Sequence, residues 1–305
     1  MEIQMYFVII GIIICILALY LLSSTETNNE NFTNDNINKQ KPYLFTYWEI
    51  KKGHIKRPDY INLCFKTMKK NGNLFNLVIL NEKTVYDYLP NLRQDINELP
   101  LALKVDYIRV MLLYYYGGFW LDADMILLKD MHEVINLLQN NEDYIGFGCT
   151  GYKCLNGYGK PSNWAMGACK GSLMMKKCLQ KLDKKLDEYF EQDKSNRKEF
   201  DYFELGKTII WEVYDEIIKE NPDYKYYQFS SDVDGTRDRN GLWIAPKSIL
   251  ESKFDIDEDK LIMVMLVNNY FCGKDKKYNW FCGMTENEVL NGNSFASKMF
   301  RRALL

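Results

Sequence analysis

Residues 101–128 read as a helix, a hard stop, a strand and a pair of carboxylates, and few folds accommodate that order. The apolar positions Leu101, Val105, Ile108, Leu112 and Tyr115 recur at helical spacing, which predicts a helix over 101–116. Gly117-Gly118 supplies its stop, because glycine takes the left-handed conformation without a Cβ clash. Residues 119–121 and 125–128 read as extended segments on either side of Asp122-Ala123-Asp124. In extended chain Asp122 and Asp124 point to one side and Ala123 to the other. Like charges this close repel, and burial raises the cost. A divalent cation removes both problems. Hard oxygen ligands suit Mn²⁺ or Mg²⁺, which then hold substrate phosphate oxygens as well. A solvated turn with two acids is the plainer reading of such a string, so its surroundings decide.

Those surroundings are an alternation of strands and helices. Residues 43–48 (YLFTYW) and 75–80 (FNLVIL) are short apolar runs that read as strands. Between them Tyr60, Leu63, Cys64, Thr67 and Met68 share one helix face, and Asn71-Gly72 ends it. A short helix is expected over 82–89, a strand over 144–147, and helices over 173–190 and 208–219. Beyond Asn221 the text is punctuated by Gly, Asn and Asp, with a last strand near 261–267. Strand, helix, strand, helix argues for an α/β layered domain with parallel pairing.

The first residues belong to another environment. Residues 3–22 are almost wholly apolar, and about 20 such residues span the ~30 Å hydrocarbon core of a bilayer. A cleaved signal peptide would want a basic start and a shorter run. Residues 1–22 are therefore expected to be a single-pass signal-anchor, with orientation unspecified because no Lys or Arg precedes the span. Residues 23–41 (SSTETNNENFTNDNINKQK) have too little to bury and read as a flexible stalk holding one sequon, Asn31-Phe32-Thr33. Residues 42–305 then form one large domain.

Net charge is −2 with acids and bases interspersed, so nothing suggests nucleic-acid binding. The eight cysteines include no CxxC pair, and with two histidines a structural zinc site is not expected. Cys149/Cys154 and Cys272/Cys282 are spaced for disulfides or for buried thiols alike.

Asp106 and Arg109, three apart on the helix, share a face ahead of the segment LLYYYGGFWLDAD (112–124). Asp-x-x-Arg, Leu-Tyr-x-x-Gly-Gly, an aromatic and Asp-x-Asp stand here in order. This pattern resembles the DxD sugar-transferase family that includes bacterial capsular-polysaccharide synthesis proteins and yeast-type initiating mannosyltransferases. Phe45-Thr46-Tyr47-Trp48, residues 64–70, residues 76–81 and residues 163–168 extend the resemblance over about 43–182. It implies a GT-A-type fold, in which a Rossmann-like nucleotide-binding domain merges with an acceptor-binding half. It further implies a retaining glycosyltransferase moving a sugar from a nucleotide-sugar donor to a glycan or polysaccharide acceptor. On that footing Tyr47 and Trp48 lie beside the nucleoside, and plain core aromatics are the alternative for both. Asp106 and Arg109 would contact the donor sugar, Asp124 would ligate the metal, and Asp122 would contact ribose or metal-bound water. Asn163 and Trp164 fall in the acceptor region.

The departure comes late in the chain. Related enzymes often add a histidine there, but His54 and His132 are misplaced for it. Residues 270–280 (YFCGKDKKYNW) stand in that region, with Lys274, Lys276 and Lys277 as a solvated basic loop or as diphosphate contacts. A second acidic string, Asp232-Val233-Asp234-Gly235, reads as a loop, with contact to the acceptor as the alternative. A phosphoesterase would need more clustered metal ligands. A catalytically inactive glycan-binding scaffold would not need Asp106, Arg109, Asp122 and Asp124 intact. No residue stands out as a nucleophile.

Overall fold

The computed structural model describes residues 41–50, 56–148, 160–244, 246–251, 255–272 and 278–305. The expected anchor, nearly all of the stalk and the sequon lie outside the described residues, as do His54, Cys149, Cys154, Lys274, Lys276 and Lys277. Among the described residues no helix is long and apolar enough to cross a membrane.

The strands are β1 (Tyr43–Tyr47), β2 (Asn76–Leu80), β3 (Gly118–Leu121), β4 (Met125–Leu127), β5 (Tyr144–Gly148), β6 (Ala165–Ala168), β7 (Tyr226–Ser230) and β8 (Met263–Met265). The helices are α1 (Asp59–Asn71), α2 (Val85–Tyr88), α3 (Leu101–Tyr116), α4 (His132–Gln139), α5 (Leu173–Phe190), α6 (Ile209–Glu220), α7 (Pro246–Glu251), α8 (Asn268–Phe271), α9 (Asn279–Gly283), α10 (Glu286–Asn291) and α11 (Phe295–Leu304). A 3₁₀ turn covers Asp95–Glu98 and a π-helical turn Glu204–Thr208.

Six strands form the central sheet in the order β2-β1-β3-β6-β5-β7, and β4 pairs with β8 in a separate ribbon. The sheet is mixed, which corrects the expectation of parallel pairing. β2, β1 and β3 are parallel, as are β5 and β7, but β6 lies between β3 and β5 and runs against both. Its sequence, AMGA, is short and carries neither a period nor a direction, so its insertion is a tertiary event.

Alternate strand residues serve two cores, one on each face of the sheet. Leu44 and Phe119 face α1 and the C-terminal helices, while Phe45 and Trp120 face α3, α5 and α6. Helix α3 is buried on most of its surface rather than along one stripe. Tyr115, expected on that stripe, is 47% exposed. Gly117 (φ +67°) caps α3, its N–H donating to the carbonyl of Leu113. Gly118 (φ +102°) is required twice over, since a Cβ there would sit 2.4 Å from the carbonyl oxygen of Tyr43.

The C-terminal part is more helical than its Gly- and Asn-rich text suggests. Thr285 builds a capping box over α10, and Ser294 caps α11. Helix α11 then packs its apolar face into the core beneath α1. Buried Thr67 accepts from the backbone N–H of Leu127, and Asn71 donates to the carbonyl of Leu127, so α1 holds β4 in place.

Candidate active site

Asp122-Ala123-Asp124 occupies a tight turn between β3 and β4, with the N–H of Met125 donating to the carbonyl of Asp122 at 3.2 Å. The extended geometry expected of it is therefore corrected. Strand β3 leaves the central sheet here and β4 joins the ribbon with β8, and the chain must bend to change partners. Both carboxylates, and Ala123 between them, border one cleft of about 710 Å³.

One oxygen of each carboxylate is fixed. Asp122 Oδ1 accepts from the indole N–H of Trp120 at 2.7 Å. Asp124 Oδ2 accepts from the backbone N–H of Asn268 at 2.8 Å, and the Asp124 carbonyl accepts from Leu266 at 2.9 Å. The Asn268 side chain in turn accepts from the hydroxyl of Tyr60 on α1. A disulfide between Cys272 and Cys282 ties the end of α8 to α9, which resolves one of the two candidate pairs. Cys64 and Cys178 are buried free thiols.

Arg109 is 5% exposed and stands between two carboxylates, 3.3 Å from Asp106 Oδ1 and 3.3 Å from Asp122 Oδ1. It also donates to the carbonyl of Asn163 and lies 5.1 Å over the Trp120 ring. Asn163 Nδ2 donates to Asp106 Oδ1 at 2.8 Å, closing the ring of contacts. Asn163 thus braces the Asp106–Arg109 pair besides lining the cleft, and Trp164 lines it alongside. Gly206 in the π-helical turn is pressed against this network. A Cβ there would lie 2.4 Å from both Asp106 Oδ2 and Asn163 Nδ2.

Two carboxylates share one guanidinium with a third nearby, and their acidity shows it. Burial pushes Asp106 up to about 7, with Arg109 opposing. Burial and the Asp122 charge push Asp124 up to about 7, and burial raises Asp122 against the pull of Arg109. Among the described residues no group of three or more His, Cys, Asp or Glu side chains is arranged to hold a metal ion. Two carboxylates suit a cation that takes one or two protein oxygens and completes its shell with water and substrate phosphates.

At the end of β1, Tyr47 is buried and Trp48 half-buried, and both border the cleft. Tyr47 donates to Glu49 Oε2 at 2.7 Å, and buried Lys104 donates to the same oxygen at 2.9 Å. These two bonds outweigh burial and hold the Glu49 carboxyl below its usual range. Among the described residues the buried indole N–H of Trp48 has no hydrogen-bond partner. Tyr47 and Trp48 are therefore lining residues and core residues at once.

Of the other sequence candidates, His132 is exposed at the start of α4, and Asp234 is fully buried and accepts from Thr236 at 2.9 Å and 2.6 Å. From that loop Ser231, Thr236 and Arg237 reach the cleft. Sequence reasoning missed Glu49, Lys104, Gly206, Lys207, Trp211 and Asn268. Only Lys104 carried a local signal, a lysine inside an otherwise apolar helix.

No protein of curated function matches the chain. Among solved structures, it is similar to PaToxG glycosyltransferase at 16% identity, covering 60% of this chain and 70% of that one, with a TM-score of 0.41. The glycosyltransferase GlyE of Streptococcus pneumoniae TIGR4 shows 11% identity over 87% of this chain, with a TM-score of 0.46, and the match spans 61% of that enzyme. The galactosyltransferase LgtC, solved with donor and acceptor sugar analogs, shows 8% identity over 81% of this chain and 98% of that one, with a TM-score of 0.41. The model of the capsular polysaccharide synthesis protein family matches residues 15–232, well over half of the sequence. With its Asp-x-x-Arg and Asp-x-Asp motifs converging in one cleft, the chain belongs to the capsular polysaccharide synthesis protein family and is a glycosyltransferase.

Proposed function

We propose that the protein moves a sugar from a nucleotide-sugar donor to a glycan or polysaccharide acceptor, with retention of configuration and with Mn²⁺ or Mg²⁺ held by Asp122 and Asp124. The observation that carries this reading is the buried guanidinium of Arg109 held between Asp106 and Asp122, with Asp124 bordering the same cleft and feeling the Asp122 charge. Such a cluster favours a further positive charge. When bound, the cation supplies charge stabilisation to the departing nucleoside diphosphate.

The chain's own groups do the positioning. The backbone N–H of Asn268 and the indole N–H of Trp120 orient Asp124 and Asp122. Arg109, held by Asp106 and the Asn163 carbonyl, presents a planar donor to oxygens of the donor sugar. Parallel strands β1 and β3 end at the cleft, the place where open α/β sheets bind nucleotides. Tyr47, Trp48 and Glu49 there form the nucleoside wall. The membrane anchor over residues 1–22 belongs to the same proposal.

Two experiments test it. A panel of nucleotide sugars is screened with Mn²⁺ for released nucleoside diphosphate. Turnover is expected with one of them and is expected to vanish in EDTA and return with Mn²⁺ or Mg²⁺; undiminished turnover in excess chelator sinks the metal-dependent mechanism. The full chain is expected to stay with membranes through a carbonate wash, and its release into the aqueous phase removes the anchor.

A further inference from the structure

The charged residues around the cleft come from α3, the end of β1, the turn after β3, the segment following β5, the π-helical turn and the loop after β7. The acids stand at its floor and at the end of β1. Among the described residues four cations border it: Arg109, Lys160, Lys207 and Arg237. Arg109 is committed to Asp106 and Asp122, and Lys160 pairs with Asp215 on α6. Neither Lys207 nor Arg237 pairs with a carboxylate among the described residues. Both are half-buried, and burial lowers the Lys207 ammonium below its ordinary range. A partly desolvated Lys207 ammonium without an ion-pair partner is costly and is relieved by an anion, and Arg237, whose charge also reaches buried Asp234, adds to the positive field there.

Both cations rest on aromatic faces that also border the cleft. The Lys207 ammonium lies 4.0 Å from the Phe203 ring centroid and 4.8 Å from that of Trp211. The Arg237 guanidinium lies 5.4 Å over Trp243. Phe203 and Trp243 are exposed despite their size. An aromatic face beside a cation fits a pyranose bearing an acidic group. The ring stacks its C–H bonds on the π-face, and the acid meets the cation.

The sheet order separates these residues from the nucleotide wall. Trp211 donates to the carbonyl of Pro161, in the segment following β5, and Arg237 lies in the loop after β7. β5 and β7 lie on one side of β3, and β1 with Tyr47, Trp48 and Glu49 on the other. With the diphosphate placed at the turn after β3, the β5–β7 side faces the acceptor.

Resting on the function proposed above, we propose that this side is an acceptor subsite for an acidic sugar, whose carboxylate or phosphate is bound by Lys207 and Arg237 and whose ring stacks on Phe203, Trp211 or Trp243. The full chain with Mn²⁺ is titrated by ligand-detected NMR with methyl glucuronide, glucose 6-phosphate and neutral methyl glucoside. UDP and GDP are titrated separately by calorimetry. At least one acidic probe is expected to bind about tenfold more tightly than the neutral one, and the better probe tells whether a carboxylate or a phosphate is preferred. Lys207→Met with Arg237→Met is expected to erase that preference and leave nucleoside diphosphate affinity within about twofold. Lys207→Arg is expected to keep the preference, with thermal melts checking that each variant folds. Equal binding of acidic and neutral probes overturns the proposal. So does a loss of nucleoside diphosphate affinity in the double variant, which assigns the cations to the donor. If the unsubstituted chain binds neither UDP nor GDP, it is the donor reading that fails, and the sugar titrations still judge the subsite.

Discussion

Replacing Arg109 by methionine keeps the length and apolar stem of the side chain but removes its charge. The guanidinium stands 3.3 Å from one oxygen of Asp106 and 3.3 Å from one of Asp122, donates to the Asn163 carbonyl and covers the Trp120 ring. Breaking a buried ion pair from one side costs about 3–5 kcal/mol, because the abandoned carboxylate stays desolvated. Protonation offers an escape. Asp106 and Asp124 already sit at about 7, and the loss of Arg109 raises Asp106 further. The cost is therefore expected in full near pH 8 and at about half that near pH 5.5, where neutral Asp106 needs no counter-charge. Urea unfolding of the parent and Arg109→Met chains, followed by circular dichroism at both pH values, reads the difference directly. Arg109→Lys is expected to recover little, since a point ammonium cannot reach two carboxylates and a carbonyl in one plane. A loss below about 0.5 kcal/mol, the range of an ordinary surface substitution, or an equal loss at both pH values, refutes the reasoning.

Asp124→Asn removes one like charge from the cluster, so without metal its melting temperature at pH 8 is expected to equal or exceed the parent's, while Mn²⁺ no longer raises it; a Mn²⁺-dependent rise equal to the parent's removes Asp124 from the metal site. The native values of Asp106 and Asp124, about 7, exceed the unfolded carboxylate value, so their contribution is fully present below about pH 4 and is lost as pH rises to about 7. The metal-free chain is thus expected to lose stability between pH 5 and 7, by about 1.4 kcal/mol per pH unit for buried Asp106 and by less for Asp124, which the cleft exposes. Saturating Mn²⁺ is expected to flatten that slope, and a metal-free melting temperature that rises over this range contradicts the assignment. Gly206→Ala places a methyl where Asp106 and Asn163 already stand and is expected to cost about 1–3 kcal/mol together with donor affinity. Gly283→Ala, which meets nothing within 4 Å, is the matched control and is expected to be neutral.

Much of the chain's organisation follows from neighbours in sequence. Helix α3 ends at Tyr116 because Gly117 and Gly118 take positive φ, and Asp106 and Arg109 meet because three residues make nearly one turn. Strands β1, β2, β3 and β5 and helices α1, α3 and α5 are likewise written in their apolar periods, which are local quantities. That Asp122 and Asp124 act as a pair was also legible, since two carboxylates one residue apart behind an apolar strand carry their own electrostatic argument, and both border the cleft.

Tertiary structure alone decided the rest. Strand β6 enters between β3 and β5 because the sheet leaves a place for it, and its four residues, AMGA, hold no record of that. Asn268 holds Asp124 from 144 positions away through a backbone N–H that any residue except proline would supply. Gly206 matters only because α6 carries its π-helical turn onto Asp106. Lys207 from the π-helical turn, Trp211 from α6 and Arg237 from the loop after β7 reach one cleft. Periodicity and capping act over a few residues and can be read along the chain. Proximity across a sheet is set by the packing of whole elements, and no window of sequence contains it.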